Sequence, residues 1–290
     1  MSIPKGSGKM LFEAEDAKKW IFADMHTHSE SSHDSVCKIE DMLLAQRARG
    51  AAAFAATDHF DTDSYDKMEI FAPIVAASKT VAALNAHYGG NPLVLSGIEI
   101  SEGFWHMDVY ERVMKLVDYD VVIGSVHLVK YRDLTYAYSK IDFSALDEQT
   151  VLAYLDAYFD DVLTMLDTLD FDVLAHLTCP LRYINGKYGC GITLERYAGK
   201  IQTILQKIIE KGIALEVNTS FYGQSGDFMP GVDVIARYYA MGGRLITLGS
   251  DAHVPENASC HFAEAIAAIK TIGFDRIYYY KNRKPQEIRI

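Results

Sequence analysis

The sequence predicts a parallel α/β barrel, and three observations carry that reading. From residue 21 onward, short apolar runs alternate with amphipathic stretches in a β-then-α rhythm, the pattern of strands joined by crossover helices. Seven of the runs end in histidine, carboxylate or amide side chains, which meet in space if the strands close around one axis. The 290 residues suffice for one barrel of about 250 residues with short additions. A single domain is therefore expected, with a core over 20–255, an N-terminal extension over 1–19 and a C-terminal helix and tail over 256–290.

Taken in order, strands are expected near 21–25, 51–57, 93–98, 120–126, 171–176, 213–218 and 244–250. Helices fall between and after them, over 38–49, 68–87, 108–117, 147–169, 193–211, 231–241 and 257–271. Helix 193–211 has Thr193 placed as its cap, Glu195 in its first turn and Gly212 as its stop. Tyr154, Tyr158 and Phe159 recur at helical spacing and belong in the core. Ile277 to Tyr280 has the composition of a terminal strand or barrel plug, and 281–290 reads as a loosely packed surface tail. The connections 128–146 and 177–192 are longer than βα loops usually are. They carry Lys130, Arg132, Arg182, Tyr183 and Lys187, a local positive balance suited to an anionic substrate.

Composition excludes several classes. With 39 acidic against 28 basic residues the net charge is −11, which disfavours a nucleic-acid partner. Cys37, Cys179, Cys190 and Cys260 are scattered and form no C-x-x-C pair, so a reduced, cytoplasmic protein without a thiolate zinc knuckle is expected. Residues 1–19 lack an apolar signal core and no run is long enough to span a bilayer, so neither secretion nor a membrane partner is expected. Gly6-Ser7-Gly8-Lys9 lacks the strand and spacing of a phosphate loop and reads as a flexible tail. No G-x-S-x-G elbow is present, which disfavours serine-nucleophile chemistry.

The chemistry sits in the clusters at the strand ends. They are Asp24-Met25-His26-Thr27-His28, Thr57-Asp58-His59, Gly97-Ile98-Glu99, Gly124-Ser125-Val126-His127, Ala175-His176, Glu216-Val217-Asn218 and Gly249-Ser250-Asp251-Ala252-His253. Residues two apart on a strand share a face, so His26 and His28 can chelate one ion, and Asp251 and His253 repeat the spacing. Glu99 offers two oxygens able to bridge ions. Imidazoles mixed with carboxylates suit Zn²⁺, Mn²⁺ or Fe²⁺ rather than Ca²⁺. His87 and His261 read as surface or capping residues, whereas His106 lies in the loop after Glu99 and is a candidate for the site.

In this order, the motifs D-x-H-x-H, T-D-H, a lone Glu, two lone His and D-x-H resemble the polymerase and histidinol phosphatase (PHP) family of metal-dependent phosphoesterases. The resemblance covers roughly 20–255. It is strongest to the histidinol-phosphatase branch, through G-I-E-I at 97–100, G-S-V-H at 124–127, A-H-L-T-C-P-L-R-Y at 175–183 and L-G-S-D-A-H at 248–253. It implies a distorted (β/α)7 TIM-like barrel of PHP type holding three divalent ions of Zn, Mn or Fe. By the same resemblance, one ion takes His26, His28, Glu99 and Asp251, and a second takes Glu99, His127 and His176. The third takes His59, His253 and Asp34, with His33 as the competing neighbour. Asp58 is then a carboxylate that orients His59 or a nearby water.

The implied activity is hydrolysis of L-histidinol phosphate, a step of histidine biosynthesis, by hydroxide formed at the ions. Alternatives are a PHP-type phosphatase for phosphotyrosine protein or nucleotides, and a silent metal-binding regulatory module. Arg182 is the expected bidentate clamp on phosphate, with Lys130 and Arg132 behind it. Arg244 begins the last strand and is expected at the far end of the barrel. The stretch Ser101-Glu102-Gly103-Phe104-Trp105-His106 departs from the family pattern. Glu102 is assigned to the substrate's ammonium group, His106 to substrate contact, and Phe104, Trp105, Tyr131, Tyr136 and Tyr183 to walls around a small-molecule pocket. Oligomeric state and leaving-group acid are left open.

Overall fold

The computed structural model describes residues 21–62 and 71–290. The N-terminal extension, the Gly6 to Lys9 stretch and the start of the helix expected at 68 lie outside the described residues. The chain runs β1 (Ala23–Thr27), α1 (Ile39–Arg49), β2 (Ala53–Ala56), β3 (His59–Asp61), α2 (Phe71–Tyr88), β4 (Leu93–Ser101), α3 (Met107–Val113), β5 (Val121–Ser125) and α4 (Glu148–Thr168). It continues through β6 (Val173–Leu174), α5 (Ala198–Lys211), β7 (Ala214–Asn218), α6 (Tyr222–Ser225), α7 (Val232–Ala240), β8 (Ile246–Gly249), α8 (Phe262–Ile272), β9 (Arg276–Lys281) and β10 (Lys284–Arg289).

One parallel sheet has the order β1-β2-β4-β5-β6-β7-β8, with β3 also paired to β4. Ala56 lies opposite Ser96 and His59 opposite Glu99, the same offset, so β2 and β3 are one barrel strand interrupted at Thr57 and Asp58. Seven strand positions result, as the sequence predicts. The seam closes through the chain after β8: the Asp251 N–H donates to the His26 carbonyl at 2.8 Å and the His28 N–H to the Ala252 carbonyl at 2.9 Å. With a seam made of loop and a two-residue β6, this is a distorted (β/α)7 TIM-like barrel.

Strands β1, β2, β5, β7 and β8 are buried at every position, because helices cover one face and packed side chains the other. Helix α4 buries Tyr154, Tyr158 and Phe159 as its spacing predicts, and Asp147 caps it by accepting the Thr150 N–H at 2.7 Å. Gly212 ends α5 in the left-handed region, φ 69°. Its start differs from expectation. A 3₁₀ turn over Glu195–Tyr197 precedes the helix, because Tyr197 is drawn inward to donate its hydroxyl to the Leu152 carbonyl at 2.7 Å. Helix α8 also starts late, after a turn at Pro255–Asn257 and a loop in which Ser259 is tied to the buried carboxylate of Asp24.

Residues 281–290 are not a loose tail. They turn back as β10 along β9, and this hairpin packs on β8 and β1 at the N-terminal mouth of the barrel, acting as its plug. Arg283 in its turn reaches Asp172 at 2.9 Å, and the Asn282 N–H reaches the Asp120 carboxylate at 3.0 Å. Arg244 stacks on the Tyr239 ring, 3.9 Å to the centroid, at the foot of β8. Among the described residues, no helix is long and apolar enough to cross a membrane.

Candidate metal centre

At the opposite mouth the strand ends bring their polar residues to one place. Register sets Glu99 beside His59, and the seam sets Asp251 beside His26 and His28. Glu99 is fully buried and stands amid five imidazoles. Its Oε1 lies 3.0 Å from His176 Nε2 and 3.2 Å from His127 Nε2. Its Oε2 lies 2.8 Å from His59 Nδ1, 3.3 Å from His26 Nε2 and 3.7 Å from His28 Nε2. Asp251 Oδ1 faces His28 Nε2 at 3.1 Å and His26 Nε2 at 3.7 Å. Asp34 Oδ2 lies between His253 Nε2, 3.2 Å, and His59 Nε2, 3.5 Å. His33 instead turns its Nδ1 to Asp61, 3.6 Å away.

Except for His176 Nε2 to Glu99 Oε1, which is a hydrogen bond, these contacts are close without hydrogen-bond geometry. His26 Nε2, His28 Nε2, His59 Nδ1, Glu99 Oε2 and His176 Nδ1 are buried with no hydrogen-bond partner. Four sets of three ligand atoms, His28/His59/His253, His26/His176/Asp251, His26/His28/Glu99 and His59/Glu99/His127, each fall within 4.8 Å of one another. Bare buried donor atoms turned toward shared points fit divalent cations, since an orphaned polar group otherwise costs about 1–3 kcal/mol. Nitrogen and oxygen ligands without thiolate suit first-row metals.

The tautomers agree. His26 Nδ1 is held by Glu216 Oε1 at 2.7 Å, and His28 Nδ1 by the Ser32 hydroxyl at 3.1 Å, which itself donates to Asp58 at 2.8 Å. His253 Nδ1 lies 2.9 Å from the Asp251 carbonyl. With the proton kept on Nδ1, each ring presents an unprotonated Nε2 to the centre. Burial favours uncharged Glu99 and Asp251, but the surrounding imidazoles outweigh it and hold both carboxyls well below their usual range. Burial also opposes charge on His59, yet Glu99 and Asp34 lift it to about 10. His28 is pushed down to about 3 by burial and by the neighbouring His59. Left-handed backbone at His176, φ 22°, and Asp251, φ 52°, aims two of these side chains at a steric cost.

Sequence reading did not assign Glu216, Asp61 or Ser32 a task. Glu216 accepts the His176 N–H at 2.7 Å while gripping His26, in space that exists because Gly249 has no Cβ to meet it. Asp61 accepts from Ser101 at 2.6 Å and faces His127 Nδ1 at 3.5 Å. Asp58, expected to orient His59 or a water, holds the Ser32 hydroxyl, which meets both the His28 ring and the His59 backbone N–H, and is itself buried away from the cavity. The cluster Glu216-Val217-Asn218 was visible; its partner, 190 residues earlier, was not.

A cavity of about 880 Å³ opens over the centre. Arg182, the first residue of a π-helical turn over Arg182–Lys187, lines it and places Nη1 3.3 Å from the Ser220 hydroxyl. Tyr136 and Tyr183 also line it. The other expected wall and substrate residues lie elsewhere. Lys130 sits 3.7 Å over the Trp105 ring and Arg132 over Tyr131, while Phe104 and His106 also lie off the cavity wall. For Lys130 and Arg132 the tight turn 131–134, with Arg132 in the left-handed region, folds their loop back on itself. Glu102 does reach the cavity but is 1 % exposed, its Oε1 taking the backbone N–H groups of His127 and Leu128. Burial pushes its carboxyl up to about 7. It holds the His127 loop rather than standing ready for an ammonium group. His261, expected as a surface or capping residue, stands at the N-cap position of α8 and also lines the cavity.

Comparison with known proteins agrees with this geometry. The probable histidinol-phosphatase of Clostridium acetobutylicum is 26 % identical over 260 residues, covering 89 % of this chain and 96 % of its own. That of Thermotoga maritima is 24 % identical over 253 residues, covering 87 % and 93 %. The crystal structure of histidinol phosphate phosphatase from Lactococcus lactis, complexed with zinc, L-histidinol and phosphate, superposes with a TM-score of 0.70 over 92 % of this chain and 99 % of that one, at 20 % identity. The family model for the PHP domain matches residues 24–220, which contain every strand end of the centre except the one at Asp251 and His253, and the chain belongs to that family.

Proposed function

We infer that the protein is a metal-dependent phosphoric monoester hydrolase and that its substrate is L-histidinol phosphate. The observation that carries this is Glu99, a buried carboxylate whose Oε2 faces nitrogens of His26, His28 and His59 that have no hydrogen-bond partner and whose Oε1 faces His127 and His176, beneath an open cavity lined by His59, His127 and His176. Divalent ions would be held by His26, His28, Glu99 and Asp251, by Glu99, His127 and His176, and by Asp34, His59 and His253; three is our proposal for their number. When bound they supply Lewis acidity toward phosphate oxygens and acidify water near neutral pH.

The chain's own residues do the rest. Glu216, Asp61 and the Asp58–Ser32 pair hold rings in the tautomer that offers a lone pair. Arg182, steadied by Ser220, presents a planar guanidinium that matches two phosphoryl oxygens. Glu102 fixes the peptide that carries His127. The names of the relatives, and the product pair bound to the Lactococcus lactis enzyme, support histidinol phosphate over phosphotyrosine protein or nucleotide. The test is a panel of histidinol phosphate, phosphotyrosine peptide and nucleoside monophosphates on protein reconstituted with zinc or manganese. A kcat/KM highest for phosphotyrosine peptide would overturn the substrate; no turnover of any would overturn the activity.

A further inference from the structure

The cavity has a wall that the metal-facing residues do not form, built by residues 220–224 after β7 and 257–261 before α8. We propose that His261 on this wall recognises the leaving group of the substrate through Nε2, which accepts a hydrogen bond from an N–H of its ammonium group or imidazole ring. The proposal rests on the reading of the protein as a histidinol phosphate hydrolase and deepens it.

Four observations build the site. His261 has φ 59°, a left-handed backbone that a histidine adopts only at a cost, and such strain persists where the surroundings enforce it. Its ring lies against Tyr222, centroids 5.1 Å apart, and Tyr222 is stacked in turn on Phe228 at 4.7 Å. Its Nδ1 lies 3.4 Å from Glu264 Oε1, which favours the proton on that nitrogen and leaves Nε2 as the acceptor. A Cβ at Gly223 would come 3.0 Å from Nε2, so the bare glycine keeps that atom open.

The placement relative to phosphate follows from one short segment. Ser220, which touches Arg182, and Gly223, which uncovers His261, are three residues apart, and both line the cavity. A phosphoryl group held at Arg182 therefore leaves the remainder of a small ester within reach of His261. The amides of Gln224 and Asn257 line the same wall and add neutral polar contacts. An aryl phosphate has no nitrogen-bound proton to offer there.

Two variants test this by different routes. His261→Asn shortens the side chain so that no acceptor reaches the place of Nε2, with a residue that tolerates left-handed backbone. Gly223→Ala, at a position whose φ is not left-handed, keeps His261 and covers its Nε2. In both, kcat/KM for histidinol phosphate should fall at least about tenfold, the scale of one hydrogen bond to a charged group, with kcat/KM for 4-nitrophenyl phosphate held within about twofold. Inhibition by L-histidinol should weaken in step, and inhibition by inorganic phosphate should not. Equal losses on both esters, or an unchanged preference in both variants, overturn the role of His261 while the substrate stands. Wild-type protein that does not prefer histidinol phosphate over the aryl ester overturns the substrate reading, and this inference with it.

Discussion

The two mouths of the barrel are made from the same strands and treat charge in opposite ways. At the N-terminal mouth, Arg283 from the β9–β10 turn donates to Asp172 at 2.9 Å and to Asp170 at 3.2 Å, and Asp172 also accepts the Val122 N–H at 2.8 Å. Cation, carboxylate and backbone donor each find a partner. At the C-terminal mouth, carboxylates and imidazoles crowd together and leave atoms bare: five of the nine buried side-chain polar atoms without a hydrogen bond among the described residues belong to Glu99, His26, His28, His59 and His176. A mouth serving stability alone would pair such groups, because the cost of leaving them unpaired is comparable to a large share of a domain's net stability. One mouth closes the fold; the other holds the atoms that we propose as metal ligands.

The sharpest way to break this contrast is Glu99→Gln. Metal content and turnover should both collapse, and the metal-free variant should melt below wild type, since a carboxyl held ionised by its imidazoles stabilises the fold and its loss leaves those imidazoles without their counter-charge. Zinc or manganese should raise the melting temperature of wild type, as any ligand selective for the folded state does, and the variant should lose most of that rise. Full activity with unchanged metal stoichiometry in the variant would dismiss the centre. Arg182→Ala comes next. It should cost about 1.5–3 kcal/mol in kcat/KM, roughly tenfold to 150-fold, with metals retained. Glu216→Gln touches no substrate, yet it should lower metal affinity or activity by about 10–100-fold, because a single amide oxygen cannot accept from both His26 Nδ1 and the His176 N–H. Metal affinity within twofold of wild type would show that Glu216 serves packing alone.

The contrast also explains what the sequence made legible. Ligands at strand ends are local signals: His26 and His28, or Asp251 and His253, are two residues apart, and each follows an apolar run. Seven such runs suffice for the barrel, because parallel strands at one mouth have only one place to send their ends. Partners across the barrel leave no local mark. Glu216 meets His26 only through β7–β8 pairing and the β1 seam, and Asp61 meets His127 because β3 and β5 flank β4. Loop direction is equally hidden: Lys130 and Arg132 carry the charge a phosphate site needs, but the turn at 131–134 spends it on Trp105 and Tyr131. The hairpin was half legible. Ile277 to Tyr280 has strand composition, whereas β10, Lys284–Arg289, is polar and depends on pairing with β9.

The smallest expected effect lies at the paired mouth and is visible only in stability. Burial raises the Asp172 carboxyl above its usual range, and the Arg283 hydrogen bond offsets this only in part. A carboxyl raised on folding binds its proton more tightly in the folded chain, so its contribution to stability falls as pH rises past the ordinary value of about 4. Arg283→Met removes the offset and should raise Asp172 further. The variant's deficit is then expected to be slight at pH values where Asp172 is protonated in both states, and to grow to about 2 kcal/mol near neutral pH, the scale of a hydrogen bond between charged groups in a partly buried setting. Urea unfolding of the two proteins across the carboxylate range measures this directly. Metal content and kcat/KM should stay at wild-type values throughout. A deficit that is constant with pH would show that Arg283 acts through packing of the hairpin rather than through Asp172, and a loss of activity would show that the two mouths are coupled.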